Sequence, residues 1–263
     1  MKYLFTTTRS SKVDIFYPST TIRRVFSRFF SRSLQPFRTF STALVTGANR
    51  GLGLALIKQL SSKGIKVIAT SREDNRNDPP YENENIQWHQ LDQNCSDSIQ
   101  KLSHHVSESD LKIDLLINNA AVNSHQRGLE NWNRKDFLNV FSTNSAGPIE
   151  IIQNLLPHLR NAIIINISSE AALISSAGKH LSYDYGPSKA ALNHINATLA
   201  YDPIMKNHIS IALHPGWIRT DMGGPNAHFS AEETALRTVL LAESLSEKHN
   251  GQFLDHQTLN FKT

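Results

Sequence analysis

The chain has 263 residues, 39% hydrophobic and 19% charged, with a formal net charge of +4 and a single cysteine, Cys95. That length allows one large α/β domain with a well-buried core, and one cysteine excludes an internal disulfide framework and any multi-cysteine metal site. Eight of the 27 Lys/Arg and only one acid, Asp14, lie in residues 1–40, so residues 41–263 carry 19 basic against 22 acidic residues; a nucleic-acid-binding face on the domain loses its support.

The twelve histidines show no zinc-like spacing with further ligands nearby, and no metal is expected. Residues 1–40 are rich in Arg, Ser and Thr and nearly free of acids, the composition of an organelle transit peptide. Within them, Ile22, Val25, Phe26 and Phe29 or Phe30 can share one helical face, with the arginines largely opposite. Arg38-Thr-Phe-Ser41 resembles a mitochondrial presequence cleavage site, and cleavage after Phe40 would start the mature chain almost at its first strand. The mitochondrial matrix is the expected location, with plastid and cytoplasm as alternatives; a disordered basic tail and a membrane-surface helix compete as readings of the arm. No apolar run is long enough to span a bilayer.

Ala43 to Val45 predicts a short buried strand, and Thr46-Gly-Ala-Asn-Arg-Gly-Leu-Gly53 a glycine-rich turn. Leu54, Ala55, Leu56, Ile57 and Leu60 then open an amphipathic helix. Gly47 permits the sharp turn, Gly51 lets backbone approach a bound pyrophosphate, and Gly53 lets helix and strand pack closely. The anion would rest on free N–H groups at the helix N-terminus, where the helix dipole also favours it. This Gly-x3-Gly-x-Gly turn, between strand and helix, resembles the cofactor motif of the short-chain dehydrogenase/reductase family. The resemblance implies nucleotide binding by Thr46, Gly47, Asn49, Arg50, Gly51, Leu52 and Gly53.

The helix runs to about Lys63, with Gly64 as its C-cap. Lys66–Thr70 is the second strand, and its end bears on cofactor choice. NAD-specific enzymes usually place an acid there, whereas this chain has Ser71-Arg72, with Arg50 in the glycine turn. Two cations suit a 2′-phosphate, so NADP(H) is preferred; Glu73 and Asp74 follow at once and keep NAD(H) open.

Ile86–Leu91 is the third strand. Asp92 after it resembles the family's adenine-contacting aspartate, and reads equally as a helix N-cap or loop acid. A helix through Ile99, Leu102 and Val106 leads to a fourth strand, Ile113–Ile117, and then Asn118-Asn-Ala-Ala121. This resembles the family's Asn-Asn-Ala-Gly motif, implying that Asn119 and Ala120 line the cofactor. Ala121 replaces the glycine and narrows backbone freedom there. Residues 133–160 predict a long helix bent near Asn144 and Gly147-Pro148, and Asn144 resembles the asparagine of the family's catalytic tetrad.

Ala162–Ser169 predicts a buried fifth strand ending in two serines, followed by Tyr185-Gly-Pro-Ser-Lys189. Pro187 fits only a first helical turn, so a helix starts at 184–186 and places Tyr185 and Lys189 on one face. Carbonyl reduction needs a proton donor beside a cation that lowers its pKa. Tyr185 and Lys189 fill those roles, and a strand-end serine can steady the substrate oxygen. Family resemblance makes that serine Ser169, with Ser168 in reserve, and gives Asn144 a water in the proton relay. Tyr-x3-Lys alone is common; the ordered set from glycine turn to lysine is not.

His208–Leu213 is the sixth strand, entering His214-Pro-Gly-Trp-Ile-Arg-Thr-Asp-Met-Gly-Gly-Pro-Asn226. This resembles the family's Pro-Gly-x3-Thr segment, implying cofactor contacts from Pro215, Gly216, Ile218 and Thr220, with Tyr185 and Lys189 also on the cofactor. Gly-Gly-Pro suggests a mobile substrate lid, and Trp217 and Phe229 are candidates for the pocket lining. A helix at 231–245 and a strand at 251–254 close the domain.

Over about residues 42–256 the chain is most similar to the C-factor and sniffer-type carbonyl reductase subgroup. The resemblance implies one doubly wound Rossmann domain, residues 41–263, with a parallel seven-stranded sheet. It also implies an NADP(H)-dependent oxidoreductase acting on a small carbonyl or alcohol substrate. A C-factor-like signalling or scaffold protein with little turnover is the alternative; a serine hydrolase lacks its Gly-x-Ser-x-Gly elbow. The 133–160 and Tyr185 helices resemble those that pair in family homodimers, though some relatives are monomers.

Overall fold

Seven short strands, most of them apolar runs, form one parallel sheet in the order β3-β2-β1-β4-β5-β6-β7. They are β1 (Thr42–Val45), β2 (Lys66–Ser71), β3 (Ile86–Gln90), β4 (Ile113–Asn118), β5 (Leu159–Ile167), β6 (Ile209–His214) and β7 (Phe253–Asp255). The structure is a computed structural model and describes residues 38–256. The predicted transit segment lies outside the described residues apart from its last three positions.

Strands buried on both faces read as continuous hydrophobic runs. β1 and β4 are buried at every position. Alternation along them feeds two cores. Ala43, Val45, Leu115 and Ile117 face α1 (Gly51–Ser61), while Leu44 and Leu116 face α2 (Ser96–Glu108). The first core is closed by α7 (Ala231–Ser244), the second by α4 (Gly147–Leu155). Between lie α3 (Arg134–Phe141), the one-turn α5 (Ala177–His180) and α6 (Tyr185–Leu199). Among the described residues no helix is long and apolar enough to cross a membrane.

Two sequence expectations change. The single helix over 133–160 is three pieces: α3, a π-helical turn at Ser142–Ala146, and α4, with a 3-10 turn at Leu156–His158. The bend expected at Asn144 is that π turn, a feature that often marks functional sites. Secondly, β5 begins at Leu159 rather than Ala162 and ends at Ile167, just before the two serines. Its first residues are held by tertiary contacts around an irregularity: Leu159 pairs with Ile113, the register shifts before Ile163 pairs with Leu115, Asn161 takes φ +45° between them, and Arg160 bonds Asp114 at 3.1 Å.

Asp114 also receives the amides of Ser41 and Thr42 at 2.9 and 3.0 Å, pinning the start of β1. Residues just before that strand belong to the domain. Phe40 is 9% exposed and sits in the first core. Arg38 donates its amide to Glu243 O at 2.9 Å and its guanidinium to Asn161 O at 3.0 Å.

After β3 the chain returns to the other side of β1 to place β4, so the loops after β1 and β4 diverge. Such a reversal is where open α/β sheets form ligand crevices, at the carboxyl ends of the strands.

Candidate active site

The glycine turn is held from within. Thr46 Oγ1 accepts the amides of Asn119 and Ala120, both at 3.0 Å. Asn119 Nδ2 donates to Thr46 O at 2.8 Å and Gly47 O at 3.2 Å, and Ala48 N donates to Thr70 O at 2.7 Å. Gly47 and Gly51 take left-handed φ values of +63° and +54°, which glycine adopts without strain. A Cβ on Gly53 would fall 2.0 Å from Gly47 O, so helix and turn meet at a distance only glycine allows.

At the head of α1, Arg50 provides no side-chain cap and the first turn contains no acid. The leading amides of a helix lack intrahelical acceptors. An uncapped, acid-free N-terminus behind a glycine turn fits a phosphate-bearing ligand. Arg72, at the end of β2, is exposed. The nearby acid Asp74 is engaged by Arg76 at 2.8 and 2.5 Å, which holds its carboxyl down at about 2. Ser71 Oγ bonds Glu73 O at 2.6 Å and accepts Asn75 Nδ2 at 2.8 Å. Asp92 Oδ1 accepts the amide of Asn94 at 2.9 Å in the loop after β3.

Ala121 is not among the positive-φ residues. Its position demands no left-handed backbone, so alanine sits there without backbone strain.

Tyr185 is the first residue of α6. Its amide is capped by Asp184 Oδ1 at 2.5 Å and also donates to Ser182 Oγ at 3.0 Å. Lys189, one turn along, is 2% exposed. Its Nζ stands 5.9 Å from the Tyr185 ring centre and donates to Ile167 O at 2.7 Å. The Ser169 side chain lies beside the Tyr185 phenol and draws it down, its Oγ accepting the Ala171 amide at 3.1 Å, while Ser168 turns away to Asn193 at 2.6 Å. Of the two strand-end serines, Ser169 is the one at the phenol.

Burial raises the Tyr185 phenol above its ordinary value, and Ser169 draws it partly back. Burial pushes Lys189 down to about 7. A net depression of the phenol was expected from Lys189; in the protein by itself desolvation dominates instead, because a phenolate partly withdrawn from water loses hydration.

Asn144 is fully buried in the π turn. It exchanges two bonds of 2.9 Å with the backbone of Val122 and donates to Ser188 Oγ at 3.1 Å. Both amide hydrogens are thereby committed, leaving only oxygen lone-pair capacity for a water. Deeper down, Asn118 bonds Asn166 at 2.9 Å, and Asn166 bonds Asn196 of α6 at 3.2 Å. Buried amides thus tie α6 to the central strands.

The segment after β6 lies against the glycine turn: Thr220 Cγ2 would be 3.1 Å from a Cβ on Gly51. Gly216 has φ +80°, and a Cβ there would meet His256 at 2.5 Å and Phe229 at 2.9 Å. Ile218, 8% exposed, pairs with Phe229. Phe229 is packed edge-on to His256, with ring centres 4.9 Å apart; Trp217 is exposed and donates its indole to Gly223 O at 2.7 Å. A cavity of about 700 Å³ at the β3 edge, lined by Trp88, His89 and His105 among others, contains none of the predicted site residues.

A family model described as short chain dehydrogenase matches residues 41–230. The chain belongs to the short chain dehydrogenase family. C-signal of Myxococcus xanthus is 31% identical to this dehydrogenase over 148 residues, covering 55% of this chain and 89% of that protein. The NADPH-bound carbonyl reductase from chicken fatty liver superposes with a TM-score of 0.79 at 28% identity, covering 86% of this chain and 100% of that one. The carbonyl reductase Sniffer of D. melanogaster follows at 0.78 and 27% identity, over 86% and 100%. The dehydrogenase is an oxidoreductase with the doubly wound fold its motifs implied.

Three residues of the dehydrogenase site were not singled out from sequence. Gln93, 5% exposed, donates to Ala120 O at 2.8 Å and Thr143 O at 2.7 Å, joining the post-β4 loop to the π turn. Ser188 links Asn144 to Tyr185 O, the latter at 2.7 Å. Asp184 accepts from Ser124 Oγ as well as capping α6; an acid just before a predicted helix start was its only signal.

Proposed function

We propose that this dehydrogenase is an NADP(H)-dependent carbonyl reductase or alcohol dehydrogenase with Tyr185 as its general acid and base. The observation that carries the reading is Lys189, buried one turn along α6 with its Nζ 5.9 Å from the Tyr185 ring centre. The nucleotide supplies the hydride. Ser169 orients the substrate oxygen, Tyr185 delivers its proton to that oxygen, and Lys189 in its charged form offsets the phenolate left behind. Asn144 braces Ser188 on the same helical turn. The amides of Gly51 and Leu52 would hold the pyrophosphate, and Arg50 and Arg72 the 2′-phosphate.

The likeness to C-signal supports a second reading, a nucleotide-binding signalling protein with little turnover. The two are separated by titrating the full chain with NADPH and with NADH, followed by tryptophan fluorescence, and then supplying carbonyl substrates. Tighter NADPH binding with substrate-dependent oxidation supports the reductase. Binding without turnover on any carbonyl favours the signalling protein, and no binding of either nucleotide contradicts both.

For the arm, we infer import into an organelle, mitochondrion before plastid, on composition alone. Phe40 and Arg38 serve the domain, so processing upstream of Arg38 would leave the fold intact. A chain beginning at Ser41 should be less stable than one beginning at Arg38 by about 2 kcal/mol, the worth of a buried aromatic side chain. Equal urea midpoints would restore Phe40 to the removable arm. Homodimer formation through the 133–160 segment (α3 and α4) and α6 accords with the family reading; sedimentation velocity giving a monomer at all concentrations would contradict it.

A further inference from the structure

We propose that Asp221 is a specificity-determining residue of the nucleotide site, competing with a 2′-phosphate for the guanidinium of Arg50. The inference rests on the reading of the glycine turn as a dinucleotide site. Arg50 Nη1 lies 2.6 Å from Asp221 Oδ2, joining the turn after β1 to the loop after β6, and the two side chains are 66% and 76% exposed. Thr220 also approaches the turn, its Cγ2 standing 3.1 Å from where a Cβ on Gly51 would be. Asp221 is therefore held at the mouth of the glycine turn, beside the one cation that the turn itself contributes.

The loop that presents Asp221 is bonded to itself. Trp217 Nε1 donates to Gly223 O at 2.7 Å, and Gly223 N to Thr220 Oγ1 at 3.2 Å. Arg219 Nη1 donates to Ala227 O at 2.9 Å and His228 O at 3.0 Å, while its amide meets Phe229 O at 2.9 Å. A carboxylate on so braced a turn keeps its position at low entropic cost, unlike one on a free surface chain. It stands where an incoming phosphate would need Arg50.

A phosphate dianion outbids a carboxylate for an arginine fork. It must nonetheless displace Asp221 or accept a negative neighbour, and either lowers its affinity. A nucleotide lacking the 2′-phosphate makes no claim on Arg50 and is spared. Asp221 thus trims the preference for NADPH without touching the chemistry at Tyr185, and eases release of the phosphorylated nucleotide.

The test is a set of Kd values for NADPH and NADH on the full chain, in wild type, Asp221→Asn, Arg50→Ala and the double variant. Exposed ion pairs are worth little, so Asp221→Asn should tighten NADPH by about two- to five-fold and leave NADH unchanged. The gain should vanish in the Arg50→Ala background. Unchanged or weaker NADPH binding in Asp221→Asn, equal tightening of both nucleotides, or an undiminished gain without Arg50 would each overturn the proposal. If wild type binds neither nucleotide, the dinucleotide reading itself falls, and this inference with it. If wild type prefers NADPH and only Asp221 is silent, that reading stands and this inference alone is lost.

Discussion

Lys189 and Arg50 are both cations of the proposed site, yet Lys189 is 2% exposed and the Arg50 side chain 66%. The first is surrounded by fixed partners: Ile167 O, the Tyr185 ring, and a helix tied to the central strands through buried asparagines. The second shares its position with one exposed acid on a neighbouring loop. Burial makes the catalytic end rigid and costly to ionise. Exposure leaves the phosphate end adjustable, screened by salt and tolerant of change. Substitutions at the two ends should therefore differ in size, pH dependence and salt dependence.

The largest effect outside Tyr185 belongs to Lys189. Lys189→Met should cost about 10²–10⁴-fold in kcat, the range for a group serving acid–base catalysis, while stabilising the protein. The sign follows from burial. Lys189 titrates at about 7 in the fold against 10.5 for the free side chain, so the charged form is disfavoured on folding. That penalty is full below pH 7 and fades as pH rises towards 10.5. The Met variant's advantage in Tm should be largest at and below pH 7 and disappear in alkali. A variant less stable than wild type at pH 7 would show that the Ile167 bond outweighs desolvation.

Ser169→Ala should lower kcat by about 10²-fold, as loss of one oxyanion donor does. The Ser169 hydroxyl pulls the Tyr185 phenol down against burial, so its removal raises the phenol further. In reduction, which needs the protonated phenol, the alkaline limb of the kcat/KM profile should move to higher pH. A limb that stays in place would break the link between Ser169 and Tyr185.

At the exposed end, Arg72→Ala should weaken NADPH by about 10- to 100-fold, the worth of a charge-assisted hydrogen bond, and spare NADH. Raising ionic strength should shrink the wild-type preference for NADPH. A salt-independent preference would mean that the phosphate is held by buried groups instead.

What could be read in advance divides along the same line of local against tertiary causes. The glycine turn and Tyr185-x3-Lys189 were legible because both depend on backbone within one turn: φ > 0 at Gly47 and Gly51, and helical spacing on α6. The start of β5 was not, since Arg160 and Asn161 are polar and exposed and lie in an irregularity between the Leu159–Ile113 and Ile163–Leu115 pairs, with Asn161 at φ +45°. Gln93, Ser188 and Asp221 carry no motif; their roles exist only once distant segments meet. The π turn lay between these cases. Gly147-Pro148 announced a disturbance around Asn144, though not the extra residue per turn that breaks the helix into pieces.

The most direct test of the mechanism is Tyr185→Phe, which removes one hydroxyl from a half-buried ring and leaves the phosphate end untouched. Carbonyl reduction should fall by about 10²–10⁴-fold while the Kd for NADPH stays within about two-fold of wild type. A Tyr185→Phe enzyme that reduces its substrate at the wild-type rate would contradict the assignment of Tyr185 as the proton donor.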